Sequence, residues 1–229
     1  MVTLFVIVVV LAFITLPGFW VKRVLRKYHE PADRYRDKGN GAELARHLLD
    51  KFELQEVAVE VTPVGDHYDP ATKVVRLTED NYSGYSLTAI TVAAHEVGHA
   101  IQDARDEVLF RNRQRLAKLA FVAQKVGSIF MLAAPVVMIL ARTPGMSILF
   151  VVVAIGSMLL GTLVHLLTLP VEFDASYNKA LPMLESGQYL HDGDLPHAQR
   201  ILRAAALTYV AASLMSLLNV GRWIAVLRR

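Results

Sequence analysis

Ser86–Gln102 reads SLTAITVAAHEVGHAIQ, an apolar window rich in small residues that predicts one long helix. A single polar stripe interrupts this window, because His95, His99 and Gln102 stand at positions i, i+4 and i+7. Residues four apart lie on the same face of a helix, so two imidazoles at this spacing can bind one Zn²⁺. The window therefore predicts a metal-binding helix.

The same stretch contains an HExxH motif, formed by His95, Glu96, Val97, Gly98 and His99. The glutamate next to the first histidine can reach a water molecule instead of the metal, and Glu96 is predicted to be the general base. A pair of hydrogen-bonded core histidines is the alternative interpretation. Burying these polar groups in mid-helix without partners would cost several kcal/mol, and this favours the functional interpretation.

The composition of the whole chain is that of a membrane protein with a soluble part. The 229 residues are 54% hydrophobic and 20% charged, whereas soluble domains average about 45–50% and about 25%. Residues 22–118 hold 16 of the 24 basic and 16 of the 21 acidic side chains. The net charge of +3 argues against a nucleic-acid partner. The absence of cysteine excludes a disulfide scaffold, a thiol nucleophile and a cysteine-containing zinc site.

Four apolar runs predict transmembrane helices, since about 20 apolar residues cross a bilayer. They are residues 2–21, 126–141, 143–171 and 204–221. Buried core helices are the alternative for the second and fourth runs, which are short. Four basic residues follow the first run and predict an uncleaved anchor with a cytoplasmic C-terminal flank: Lys22, Arg23, Arg26 and Lys27. The lipid bilayer is therefore a predicted partner, and the predicted location is the cell membrane, with the soluble part facing the cytoplasm.

The predicted fold class is a mainly α membrane protein with four transmembrane helices and a small α+β soluble domain that carries the HExxH helix. Three parts are expected: an anchor helix, the soluble domain, and a membrane domain with the other three helices, over residues 1–21, 22–118 and 119–229. Within the soluble domain, residues 41–54 predict an amphipathic helix, and residues 56–61 a strand.

Residues 66–70 of the soluble domain have turn chemistry, and residues 73–77 predict a second strand. That strand could pair with an extended substrate, or it could be purely structural. His67 and Tyr68 could stabilise an oxyanion or could simply belong to the turn. Residues 192–194 look like a loop with no required role.

A catalytic zinc usually takes three protein ligands and keeps one position open. No third histidine follows at the metzincin spacing, where position 105 is arginine, so a downstream glutamate is expected. Outside the soluble domain only Glu172 and Glu185 remain. Glu172 follows a long apolar run, and two predicted spans separate it from His99, which returns it to the same membrane face. Helix capping after Pro170 is the alternative role of Glu172, and His165, seven residues earlier, is either functional or a packing residue.

Four strings resemble the YugP-type neutral zinc membrane metallopeptidases: DHYDP (66–70), VVRL (74–77), AAHEVGHAIQ (93–102) and LPVEFDAS (169–176). The resemblance covers most of the chain and implies a zincin-like soluble domain, distantly similar to that of HtpX-type membrane proteases. It implies that His95, His99 and Glu172 hold one zinc ion, in the gluzincin manner, and that Glu96 is the catalytic base.

The resemblance is incomplete at one position after the third implied ligand. HtpX-type proteases carry an aspartate four residues after that ligand, where it supports a histidine. In this chain Ser176 stands there, and the nearby acid is Asp174. Asp174 is therefore expected either to orient a ligand histidine or to be an alternative ligand.

The predicted function is that of a membrane-embedded zinc metalloendopeptidase acting on peptides or on unfolded or membrane proteins. Zinc lowers the pKa of water, and Glu96 takes the proton and passes it to the leaving amine. The alternatives are a catalytically silent zinc-binding scaffold or chaperone-like protein, a site-2-type intramembrane protease, and an ion or proton transporter. Asp103 and Arg105 directly after the helix argue against the site-2 type, as does the absence of a Leu-Asp-Gly sequence. No oligomeric state is predicted.

Overall fold

The computed structural model forms two compact units. One unit comprises Met1–Gly18, Asn112–Leu169 and Tyr209–Arg229, and the second comprises Phe19–Arg111 and Pro170–Thr208. The structure describes residues 2–141, 149, 152, 153, 156, 160, 163, 164 and 166–227. The division expected from the sequence at residues 21 and 118 stays a prediction.

Three long helices contribute residues to both units: α1 (Val2–Lys27), α5 (Val108–Ala141) and α8 (Leu195–Leu227). Among the described residues, one helix is long and apolar enough to cross a membrane, and it is Leu4–Lys27 of α1. The prediction of four transmembrane helices is therefore wrong for this part of the chain. The fold is mostly helical, with one small three-stranded sheet.

The apolar runs have different structural contexts, and this explains the error. The run 126–141 is the second half of α5, a 34-residue helix whose first half is charged. The run 204–221 continues α8, and its first residues, Ala204 and Ala206, are buried by protein. Most of the run 143–171 lies outside the described residues. An apolar run does not reveal whether lipid or protein covers it.

The predicted amphipathic helix of the soluble part is confirmed as α2 (Gly41–Lys51). Its N-terminus has a capping box, in which the Asn40 side chain accepts from the backbone N–H of Glu43 and the Glu43 carboxylate accepts from that of Asn40. The apolar stripe on its inner face is buried, with Leu44, Leu48 and Leu49 in the core of the second unit. The N-terminal capping box and the helical spacing of the apolar residues therefore both stabilise this helix.

The sheet has the strand order β1-β3-β2, with β1 at Ala58–Val61, β2 at His67–Asp69 and β3 at Val74–Leu77. β3 pairs with β1 in parallel and with β2 antiparallel. The two predicted strands are confirmed as β1 and β3, but the predicted turn contains β2. Because β3 has a strand on each side, the suggestion that it pairs with an extended substrate is wrong.

The helix predicted from residues 86–102 is confirmed as α4 (Leu87–Ala104), which follows the short α3 (Glu79–Tyr82). The Ser86 hydroxyl accepts from the Ala89 N–H and caps its N-terminus. Every residue of α4 from Leu87 to Gln102 is buried, because α2, the sheet and the segment after residue 169 all pack around it. α4 is therefore the central helix of the second unit.

The segment that covers α4 consists of three short helices in direct succession. They are α6 (Leu169–Phe173), a seven-residue π-helix (Asp174–Ala180) and α7 (Leu181–Ser186). π-Helices are rare in proteins, and those that occur are often found at functional sites. This segment packs against α4, and it carries the acidic residues predicted near the metal.

Candidate metal centre

His95 and His99 lie one turn apart on α4, as their spacing requires. Each is 2% exposed, and their rings are 4.8 Å apart at 77°. The Nε2 atoms of both rings face the Glu172 carboxylate, and the Nδ1 atoms face other polar groups. The helix thus presents two imidazole nitrogens in one buried place, the arrangement that the motif predicts.

Glu172, on α6, is brought to this histidine pair although it is 73 residues from His99 in the chain. Its side chain is 1% exposed, and its Oε2 atom lies 3.1 Å from His99 Nε2 and 3.4 Å from His95 Nε2. The three donor atoms all lie within 4.8 Å of one another. No part of this group comes from the first unit.

The donor set fits a zinc ion. Two imidazole nitrogens and one carboxylate oxygen are common zinc ligands, and tetrahedral bonds of about 2.0–2.1 Å place two ligand atoms about 3.3 Å apart. The observed separations from the Glu172 oxygen to the two imidazoles are close to that value. The roles of His95, His99 and Glu172 as ligands stay predictions that this geometry supports.

Ser176, which was not among the predicted site residues, supports His95. Its hydroxyl donates to the Leu202 carbonyl at 3.1 Å, so its oxygen accepts from His95 Nδ1, also at 3.1 Å. With the hydrogen on Nδ1, the Nε2 atom keeps its lone pair free for a metal. The only signal in the sequence was the position of Ser176, four residues after Glu172.

Asp174 does not contact either histidine through any described hydrogen bond. Its carboxylate instead accepts from Gln102 Nε2, Asn178 Nδ2 and Lys179 Nζ, at 2.8, 2.7 and 3.0 Å. Burial raises the pKa of Asp174, but these three hydrogen bonds outweigh burial and hold it below the ordinary value. Asp174 thus supports the site indirectly through Gln102, which contacts His99.

Gly98, inside the motif, allows α4 and the π-helix to approach closely. A Cβ atom at this position would lie 2.8 Å from the Ala175 carbonyl oxygen and 3.3 Å from the Lys179 Cβ. Real side chains do not fit at such distances, so the glycine sets the spacing between the two elements. That spacing brings Ser176 within reach of His95.

The remaining predicted residues are placed as follows. Glu96 follows His95 on α4 and is 6% exposed, and its role as base stays a prediction. His67 Nδ1 lies 2.8 Å from the Gly65 carbonyl in its own turn. Glu185 lies on α7, where it lines a separate surface cavity of about 420 Å³. His165 lies outside the described residues.

Tyr68 is buried, and its hydroxyl donates to Asp103 Oδ2 at 2.8 Å. Burial, assisted by this hydrogen bond, raises the pKa of Tyr68. The same Asp103 oxygen accepts from Lys73 at 2.5 Å, so these contacts join the sheet to the end of α4. A structural role therefore accounts for the described contacts of Tyr68.

The chain matches a protein family along nearly all of its length. The model of the family described as "Putative neutral zinc metallopeptidase" matches residues 2–228. The chain belongs to this family. A relative in Bacillus subtilis (strain 168), named "Putative membrane protease YugP", is 34% identical over 215 residues, which cover 91% of each chain. No solved structure matches the chain significantly.

Family membership confirms the resemblance read from the sequence. At a coarse level it supports a zinc-dependent protease and identifies zinc as the metal that the family implies. The buried group of His95, His99 and Glu172 is a suitable place for that ion within the second unit. The described residues also contain an apolar N-terminal helix, and the Bacillus relative is named as a membrane protease.

Proposed function

We propose that this protein is a membrane-anchored zinc endopeptidase in which His95, His99 and Glu172 bind one zinc ion and Glu96 is the general base. The observation that carries the proposal is the convergence of two imidazole Nε2 atoms on one buried Glu172 oxygen, at 3.4 and 3.1 Å. The family description supports the choice of zinc and of peptide-bond hydrolysis.

In the proposed mechanism, the metal ligands and the base have separate tasks. When bound, zinc supplies Lewis-acid chemistry, because it polarises a carbonyl group and lowers the pKa of water to about 7. Glu96 accepts a proton from the water that attacks the scissile carbonyl carbon, and it then donates this proton to the leaving amine. His95, His99 and Glu172 stay in place, since neighbouring hydrogen bonds hold both imidazoles.

The proposed substrate is a peptide or an unfolded or membrane protein, and the proposed second partner is the lipid bilayer. α1 provides the anchor, because its apolar side chains are largely exposed and Arg26 and Lys27 stand in its last turn. Basic residues favour the cytoplasmic side, so the second unit is proposed to lie in the cytoplasm.

The orientation can be tested cleanly because the chain contains no cysteine. A Ser83→Cys variant places one thiol on an exposed residue of the second unit. A membrane-impermeant maleimide should label it in permeabilised cells and leave it unlabelled in intact cells. Equal labelling in intact cells would contradict the cytoplasmic orientation.

The burial of the metal group favours one alternative function, a zinc-binding scaffold without turnover. His95, Glu96, His99 and Glu172 are each at most 6% exposed. A scaffold and an enzyme would both bind zinc, so metal content alone does not separate them. Hydrolysis of an unfolded protein by the purified chain separates them, because only an enzyme would cleave it.

The test of the enzyme proposal is Glu96→Gln in the full-length chain. Removal of a general base should lower the rate of hydrolysis of unfolded casein by about 10²–10⁴-fold, while zinc content stays at one ion per chain. Glu185→Gln is the matched control, because Glu185 lies on α7 away from the metal group and should keep full activity. A Glu96→Gln protein as active as the wild type would refute the mechanism, and an inactive wild type that binds zinc would favour the scaffold.

A further inference from the structure

Gln102 is completely buried one turn after His99, and its side chain joins the two segments that carry the metal group. Its Oε1 atom lies 2.9 Å from His99 Nδ1. Its Nε2 atom donates to the Val171 carbonyl at 3.1 Å and to Asp174 Oδ2 at 2.8 Å. One amide thus contacts a histidine of α4 and the residues on either side of Glu172.

The polarity of these contacts follows from simple hydrogen-bond chemistry. A backbone carbonyl can only accept, so the atom that faces Val171 must be the amide nitrogen. The oxygen of the amide therefore faces His99, and because it only accepts, His99 Nδ1 must carry the hydrogen. The Nε2 atom of His99, which faces Glu172, is then the nitrogen that can offer a lone pair to a metal.

The same amide also holds the backbone around Glu172. Val171 directly precedes Glu172, and Asp174 begins the π-helix two residues later. Both bonds are donated from α4, so this one side chain helps to fix the position of Glu172 relative to the histidines. A non-polar side chain of equal length could fill the space but could make none of these bonds.

We propose that Gln102 is a positioning residue of the metal centre, with two linked tasks. It holds His99 in the tautomer that leaves Nε2 free, and it keeps the Glu172 segment at bonding distance from the histidine pair. The inference deepens the proposed function, because it assumes that this group binds zinc. Loss of such a supporting hydrogen bond typically weakens metal binding about 10–100-fold.

Two substitutions separate these tasks. Gln102→Glu keeps an acceptor for His99 Nδ1, and even a protonated glutamate has only one hydrogen, so at least one of the bonds to Val171 and Asp174 is lost. Gln102→Met, similar in length, removes every bond. Both are made in the full-length chain, purified in detergent.

Two readouts are measured on each protein. The His99 tautomer is read by ¹H–¹⁵N NMR of the imidazoles in metal-free protein, and zinc affinity is read by competition with a chromophoric chelator. The wild type should show the hydrogen on Nδ1 of His99. Gln102→Glu should keep that tautomer and bind zinc about 10–100-fold more weakly. Gln102→Met should lose the single tautomer and bind zinc at least as weakly.

Asn81→Leu provides the matched control. Asn81 is also a buried amide of the second unit, and it donates to Asp66 Oδ2 at 2.8 Å, away from the metal group. Its loss should lower stability without changing zinc affinity or the His99 tautomer. A control that weakens zinc binding as much as the Gln102 variants do would show a merely structural effect and overturn the inference.

Two further results would overturn it: wild-type zinc affinity in Gln102→Glu, or a wild-type His99 tautomer in Gln102→Met. If the methionine variant does not fold, the glutamate variant decides alone. Failure of the proposed function is a separate result. A wild-type chain that binds no zinc refutes that function, whereas the tautomer in metal-free protein still tests Gln102.

Discussion

The Ser176 hydroxyl supports His95, and the two groups that it contacts explain why a hydroxyl suits this position. Ser176 must accept from the imidazole and at the same time face the Leu202 carbonyl, which also only accepts. A hydroxyl can accept and donate together, whereas a carboxylate would place two acceptors against each other. The departure from the HtpX-type pattern at Ser176 is therefore consistent with the packing of α8.

Ser176→Ala should weaken zinc binding by about 10-fold, because His95 Nδ1 loses the acceptor that holds its ring. The measurement is competition with a chelator. Ser83→Ala is the control, since the Ser83 hydroxyl donates to the Glu79 carbonyl on the surface. Equal zinc affinity in Ser176→Ala and wild type would show that Ser176 has no part in the metal site.

At the scale of elements, the site depends on the contact between α4 and the π-helix. Ala175 lies against Gly98, and the next residue, Ser176, reaches His95. Asp174 at the start of the π-helix binds Gln102, and Lys179 near its end forms ion pairs with Asp174 and with Glu107, at 3.0 Å each. The first turn of the π-helix is thus tied to α4, and Lys179 ties its end to Glu107, which follows α4 in the chain.

Gly98→Ala tests this contact. On an exposed helix, replacing glycine by alanine stabilises by about 0.5–1 kcal/mol, but here the new methyl group would lie against the Ala175 carbonyl. We expect a loss of about 1–3 kcal/mol in the free energy of unfolding, measured with urea, together with weaker zinc binding.

The control for Gly98→Ala lies at the end of the same helix. Ala104→Gly changes an exposed position of α4, so it should lower stability by at most about 1 kcal/mol and leave zinc affinity unchanged. A more stable Gly98→Ala protein would mean that α4 and the π-helix can separate without cost.

At the scale of the whole second unit, Asp194 connects its distant parts. Arg34 donates two hydrogen bonds to the Asp194 carboxylate, at 2.7 and 2.8 Å, and the Tyr35 hydroxyl donates one at 2.7 Å. The residues are about 160 positions apart, and Asp194 directly precedes α8. The expectation that residues 192–194 have no required role is therefore wrong, because a tripeptide of loop composition carries no sign of a distant partner.

The pH dependence of stability should follow from Asp194. Burial raises its pKa, but the hydrogen bonds from Arg34 and Tyr35 outweigh burial and hold it below the ordinary 3.8. A lowered pKa in the folded state stabilises the fold above the unfolded pKa, and this contribution is lost as the pH falls through the folded value.

Asp194→Asn should lower Tm at pH 7, by an amount that reflects about 1.5–3 kcal/mol for hydrogen bonds to a charged group. The difference in Tm from the wild type should begin to shrink below about pH 4, where the unfolded chain takes up the proton, and should be lost as the pH falls through the lower pKa of the folded state. Asp192→Asn, at an exposed neighbour, should match the wild type at every pH. A difference in Tm that does not change with pH would exclude this carboxylate as its source.

Helices and strands with strong local patterns could be predicted from the sequence. The spacing of His95 and His99, the capping of α2 and the apolar stripe on its inner face are local properties, set by the 3.6-residue helical repeat. The motif also predicts metal chemistry, because two imidazoles one turn apart are suited to a metal. The number of membrane spans could not be predicted from local sequence, since an apolar run has the same composition whether lipid or protein covers it.

The sequence by itself determined the HExxH helix, the spacing of its two histidines and the family to which the chain belongs. It also singled out Glu172, but only the tertiary structure shows which distant groups lie against the histidines. Glu172 reaches the histidines through the packing of α6, and Ser176 reaches His95 through the close approach of the π-helix. Gln102 contacts His99 within α4 and joins it to the Glu172 segment. The physical reason is range: helical spacing fixes neighbours one turn apart, whereas contacts between residues about 70–80 positions apart exist only after the core has packed.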